Sequence, residues 1–150
     1  MGLLGNRRGF GVEDSPFMIL AALAVVFIVV ATGVQVMGNF IHGNQHQLTA
    51  EAAMEIYKRA RLLSLAYDGS FDRFEVSVSE GYAVLLDGNI AALEDAEFVN
   101  GTLQPGYSRM GDQMVVKGMD IKSEPTHILP PGRHEINMTK YGAKIHISWV

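Results

Sequence analysis

The chain contains no cysteine. No disulfide can therefore cross-link it, so any folded domain must be held by its core or by neighbours, and zinc sites built on thiolates are excluded. Basic residues are scarce and unevenly placed: after Arg7 and Arg8, none occurs until Lys58. Residues 68–126 carry eleven acidic side chains against four basic ones, and the formal net charge is −4. Such a surface repels phosphate backbones, which argues against nucleic acid as a partner. Catalytic signatures are missing as well. There is no G-x-S-x-G, no H-E-x-x-H and no phosphate-binding glycine loop, and Ser79, Glu80 and Asp112 have no partners at useful spacing. The sequence therefore predicts no enzyme and no cofactor.

The five histidines do not assemble into a metal site either. His42 and His46 share a helix face, but the nearest acid is Glu51. They read as a polar collar at a membrane surface. His134 and His146 fall on opposite faces of a proposed hairpin, and His127 stands alone. An outer-surface metal or ligand binder would rest on these histidines only. No internal repeat or low-complexity tract is present.

What the sequence does contain is one long apolar run. Residues 17–31 include no polar side chain, and only Thr32, Gly33 and Gln35 interrupt the run before Met37. A helix over residues 17–37 would be roughly 31 Å long at about 1.5 Å per residue, close to the hydrocarbon thickness of a bilayer. A buried core helix would show a polar stripe, and this run has none. A cleaved secretory signal, with residues 31–33 as its small-residue site, would prefer positive charge immediately before the run. Glu13 and Asp14 stand there instead. A retained span is expected, with the N-terminus cytoplasmic and residues 68–150 outside, because Arg7 and Arg8 precede the span and no basic residue closely follows it.

Beyond the span, the glycines of residues 38–44 should weaken or kink a helix. A second helical pattern begins at Thr49, a suitable N-cap, and places Ala53, Ile56, Ala60, Leu63 and Tyr67 on one stripe, with Glu55 and Arg59 as a supporting pair. Asp68-Gly69 closes it. Span and stripe can form one long bent helix from about Pro16 to Tyr67. From Phe71 the period changes to two. Strands are predicted around 71–78, 82–86, 90–93, 97–103 and 113–121, with a hairpin turn at Asp87-Gly88-Asn89. The C-terminus predicts a hairpin turning at residues 139–142, with Met138 opposite Ala143, Ile136 opposite Ile145 and His134 opposite Ile147. Its apolar face would also carry Trp149, and its polar face Arg133, Glu135, Asn137, Lys144, His146 and Ser148. The expected fold class is α+β: a long N-terminal helix, transmembrane and then amphipathic, packed against a C-terminal antiparallel β-sheet or small β-sandwich.

Two glycosylation sequons, at Asn100 and Asn137, lie in the region placed outside. The Glu13-Asp14 pair has two readings. Asp14-Ser15-Pro16 suits a helix N-cap followed by Pro at the first helical position. Alternatively, a carboxylate beside a bilayer needs a positive partner, which an adjacent subunit's amino group could supply.

Arg7-Arg8-Gly9-Phe10, followed by acids and then the apolar run, resembles the class III signal of archaeal type IV pilins. The tail is also similar to those of small archaeal pilin-like proteins: Leu129-Pro130-Pro131-Gly132-Arg133-His134-Glu135-Ile136, then Ile145-His146-Ile147-Ser148. The resemblance implies a leader over residues 1–9, cut by a prepilin-type peptidase at Arg8, Gly9 and Phe10. It further implies a helix over 10–67 that leaves membrane lipid to pack with other pilin-like subunits, and an outward β-rich domain over 68–150. The family carries Glu at its fifth mature position; here that position is Asp14, with Glu13 fourth, and Gly11 and Pro16 are further departures. The expectation is a minor pilin-like subunit of a surface filament. The alternative is a permanent single-span anchor whose outer domain binds an envelope or motor component, the layout of an archaellum stator-type subunit.

A cut after Gly9 would give Phe10 a free amino group, mostly protonated at neutral pH with a pKa of about 7.7–8.0. If Asp14 pairs with such an amine in low dielectric, removing it strands a charge at roughly 3–5 kcal/mol. Asp14→Ala and Asp14→Asn should then insert normally but enter filaments poorly, whereas Asp14→Glu should assemble. Glu13→Ala should matter less, since it points about 100° away around a helix. Normal incorporation of Asp14→Asn, measured in sheared filaments, would leave capping as the only role.

Overall fold

A computed structural model describes residues 16–150. Arg8, Gly9, Phe10, Glu13 and Asp14, the processing and assembly positions read from the sequence, lie outside the described residues. One helix, α1, runs over Pro16–Ser64, 49 residues. It continues through residues 38–44, so the glycines there do not break it. Contacts divide the chain into two units, Met1–Ile41 and His42–Val150.

In the first unit the described part is helix alone. Thr32 is accommodated by bonding back along it: its Oγ1 donates to the carbonyls of Ile28 (2.7 Å) and Val29 (3.1 Å).

The second unit holds the rest of α1 and ten strands. These are β1 Phe71–Val78, β2 Tyr82–Asp87, β3 Asn89–Glu94, β4 Phe98–Val99, β5 Thr102–Leu103, β6 Ser108–Met114, β7 Asp120–Glu124, β8 Ile128–Leu129, β9 Gly132–Tyr141 and β10 Lys144–Trp149. One sheet has the order β1-β9-β10-β7, the other β6-β3-β2-β8, and β4 and β5 form a separate two-stranded ribbon. The fold is α+β, as the sequence predicts. The sheets are mostly antiparallel, but β10 pairs with β7 in parallel.

Alternation explains which faces meet. Val76 and Val78 of β1, Ile136 and Met138 of β9, Ile145, Ile147 and Trp149 of β10, and Ile121 of β7 are all buried. They share one cluster with Val84 and Leu86 of β2, Ile90 and Ala92 of β3, and Ala52, Ala53, Ile56, Ala60 and Leu63 of the helix. The helical stripe therefore ends at Leu63. Tyr67, expected on it, is 91% exposed because α1 stops at Ser64. Thr49 is not an N-cap: it sits inside the helix, fully buried, and its Oγ1 accepts the Ser79 N–H at 3.2 Å. The helix end is capped from outside. Lys140 Nζ donates to the carbonyls of Ser64 (2.9 Å) and Ala66 (2.7 Å), groups a helix terminus leaves without partners.

The C-terminal hairpin has the expected faces but a different register. Ile136 lies opposite Trp149, Met138 opposite Ile147, and Lys140 opposite Ile145. Tyr141 pairs with Lys144, leaving a two-residue turn at Gly142-Ala143. Gly142 has φ +59, the conformation a type II′ turn requires at its first central residue. This short turn replaces the longer one expected at 139–142. The slip is an even number of residues, so every side chain stays on its predicted face.

Two predicted strands are split. Residues 97–103 become the ribbon β4–β5 around Asn100-Gly101, and residues 113–121 divide between β6 and β7 across a turn at Gly118 (φ +78). On the polar face, Glu75 and Glu135 are direct cross-strand neighbours, an unfavourable placement of like charges. Diagonal ion pairs, Arg73 with Glu135 and Arg133 with Glu75, neutralise it.

Because Ile145 is fully buried and Trp149, the chain's one tryptophan, reports on the same core, Ile145→Ala should lower the unfolding midpoint followed by tryptophan fluorescence. The expected cost is about 2–4 kcal/mol, from lost transfer energy plus a cavity. His146→Ala, half-exposed on the opposite face, should cost under about 0.5 kcal/mol. Equal losses would contradict this division of faces.

Candidate assembly surface

Large apolar side chains from Met18 to Ile41 are exposed all round α1, with Phe27 and Phe40 each at 75%. Among the described residues this is one helix long and apolar enough to cross a membrane. The exposed run is roughly 36 Å long, and about 30 Å spans the hydrocarbon of a bilayer. An apolar surface of this extent is not stable against water and demands lipid or apolar protein around it. Val29, Thr32, Gly33, Val36, Met37 and Phe40 line a shallow groove, with bare backbone at Gly33. The Thr32 hydroxyl is already satisfied within the helix, so it adds no unmet polar group to that groove. Gln35 differs: it is exposed in the apolar run, and no hydrogen bond joins its carboxamide to another described residue.

The other candidate residues are scattered. His46 is exposed and meets the Tyr82 ring edge-on, with centroids 6.5 Å apart. His134 Nε2 lies 2.9 Å from the Pro130 carbonyl, and His146 Nε2 lies 3.6 Å from Glu124. Among the described residues no group of three or more potential ligands is placed to hold a metal. Ser123 Oγ lies 3.4 Å from His127 Nδ1, but the hydroxyl is buried and also faces the carbonyls of Leu86 (2.7 Å) and Thr126 (2.9 Å). It ties β7 to β2.

The two sequons occupy different settings. Asn100 is exposed at the tip of the β4–β5 ribbon, while Asn137 is half-buried in the middle of β9, flanked by Arg73 of β1 and Ser148 of β10.

Sequence reasoning paired Arg59 with Glu55 but missed its other partners. Its Nη1 reaches Asp72 at 3.0 Å, and its guanidinium lies 4.5 Å above the Phe74 ring. Hydrogen bonds to Glu55 and then Asp72 raise the Arg59 pKa above its ordinary value. The i,i+4 spacing made Glu55 visible; Asp72 and Phe74 are brought up by the sheet. Comparison with known proteins finds no matching family model, curated protein or solved structure, so the fold and this surface carry the functional reading.

An arginine at the middle of the exposed run tests its preference for an apolar medium. Val29→Arg should lower the fraction of protein that resists carbonate extraction from membranes, by an insertion cost of about 2.5–3.5 kcal/mol. Val29→Leu should leave that fraction unchanged. Equal extraction of both variants would deny the run a membrane role.

Proposed function

We propose that this protein is a pilin-like structural subunit of an archaeal type IV pilus-like surface filament, assembled through residues 18–41. The observation that carries the reading is a helix that is apolar and exposed all round in its first part and buried on one face in a β-domain in its second. In the bilayer, lipid covers the first part; in a filament, the same part of other subunits does so, and contacts of one kind replace the other. Residues 68–150 are then outside the cell. The processing site at Arg8, Gly9 and Phe10 fits removal of residues 1–9 by a prepilin-type peptidase.

Gln35 supports assembly over a simple anchor. An exposed carboxamide without an internal partner is costly in hydrocarbon, and an interhelical hydrogen bond relieves it, at about 0.6–2 kcal/mol. Gln35→Leu should therefore insert into membranes normally but reduce the protein found in sheared filaments several-fold. The decisive measurement is the N-terminal residue of the mature chain in filament and membrane fractions from its native cells. A start at Phe10 in filaments supports the proposal. A chain beginning at Met1 and confined to the membrane would sink it and establish the permanent anchor that binds an envelope or motor component.

A further inference from the structure

Both sequons satisfy the same three-residue rule, yet the fold treats them differently. Transfer of an oligosaccharide to asparagine requires the acceptor segment to leave its own hydrogen bonds and enter an enzyme. Asn137 cannot do so in the folded domain: its strand is central, with β1 on one side and β10 on the other. Freeing it would open the four-stranded sheet over the buried Ile136 and Met138.

Asn100 is at the opposite extreme. It forms, with Gly101, the two-residue turn of a ribbon held by two residue pairs, Phe98 with Leu103 and Val99 with Thr102. Asn100 and Gly101 have φ of 51° and 77°, the left-handed pair that a type I′ turn demands and that Asn-Gly satisfies well. That geometry explains Asn100 and Gly101 but not Thr102, which the turn does not require. Asn100, Gly101 and Thr102 are all exposed, and the Asn100 carboxamide bonds to none of the described residues. Phe98, two residues earlier and half-buried, walls the clefts on both sides of the tip together with Pro130. Asn100 itself lines neither cleft and stands exposed to solvent, so a sugar attached there meets no wall.

We infer that Asn100, and not Asn137, is an N-glycan acceptor. The inference rests on the outward placement of residues 68–150 in the proposed function. In the reaction, the Asn100 side-chain nitrogen attacks the anomeric carbon of a lipid-linked oligosaccharide. The new N–C bond forms as the C–O bond to the lipid phosphate breaks. The phosphate leaves with that electron pair, and the amide proton passes to a base of the transferase.

The test is peptide mass spectrometry on the full chain purified from its native membranes, alongside protease digestion of intact cells. The expected result is a hexose or N-acetylhexosamine mass increment on the Asn100 peptide and none on the Asn137 peptide. Asn100→Gln and Thr102→Ala should both abolish it, and Thr102→Ser should retain it. Thr102→Ala keeps Asn100 in the turn, so its result is independent of any folding defect in Asn100→Gln. An Asn100 peptide that is unmodified or merely deamidated, in a domain that external protease digests, overturns the inference and leaves the outward placement standing. A glycan on Asn137 alone also overturns it. Protection of the domain from external protease overturns the placement, and the inference with it.

Discussion

The second unit depends on one buried cluster, which joins the α1 face of Ala52, Ala53, Ile56, Ala60 and Leu63 to strands of both sheets. Ile56 and Ala60 have no exposed surface, and the cluster containing them reaches β1, β9, β10 and β7 on one side and β2, β3 and β8 on the other. Three of the five stripe residues are alanines, and enlarging one would overpack the core at about 1–3 kcal/mol. With no cysteine in the chain, this burial must supply the stability that small outer domains often take from disulfides.

Polar ties fix the helix at three heights along that face. Thr49 accepts from Ser79, just past the end of β1; Arg59 reaches Asp72 near its start; and Lys140 of β9 caps Ser64 and Ala66. As residue numbers rise along the helix, the β1 partners fall from 79 to 72, so β1 runs back along α1. Each tie sits where burial alone would leave a polar group unmet: an internal hydroxyl, a guanidinium between two elements, a helix end. Their combined effect is to set the height and rotation of the helix against β1, which hydrophobic burial alone specifies loosely.

The sequence displays features whose physical cause is local and periodic. Burial on one face of a strand has period two, so the in/out assignment of β9 and β10 was readable, as was the Asp87-Gly88-Asn89 hairpin. Register was not, because an even slip leaves every face unchanged; the choice fell to the two-residue turn that Gly142 permits. Thr49 misled because a threonine that caps a helix and one buried within it look alike without tertiary contacts. Tyr67 continued the helical period, but periodicity does not say where the chain leaves the helix. The parallel pairing of β10 with β7 and the link from Arg59 to Asp72 join distant segments and left no local trace. For the candidate site, the apolar run and both sequons were plain, whereas the contrast between Asn100 and Asn137 needed the strand pairing.

The persistence of helix through Gly38 and Gly43 follows from the same reasoning about surroundings. Each glycine costs a helix roughly 0.5–1 kcal/mol relative to alanine, through backbone freedom lost on ordering. That penalty is measured where the competing state is a hydrated chain. Gly38 lies within the exposed apolar run, and in hydrocarbon a broken helix would expose unpaired amide groups there at several kcal/mol each; Gly43 lies in the polar stretch beyond the run and carries only the ordinary glycine cost, which the helix around it outweighs. At residues 42–47 the side chains turn polar, and His42, Asn44, His46 and Gln47 are exposed. Immediately after them Thr49 is buried and the one-sided stripe begins. A single helix thus meets two different requirements in sequence: an apolar medium on every side, then a β-core on one. The first requirement is met by nothing within the described residues, which is the physical ground for looking outside this chain, to lipid or to other subunits, for what surrounds residues 18–41.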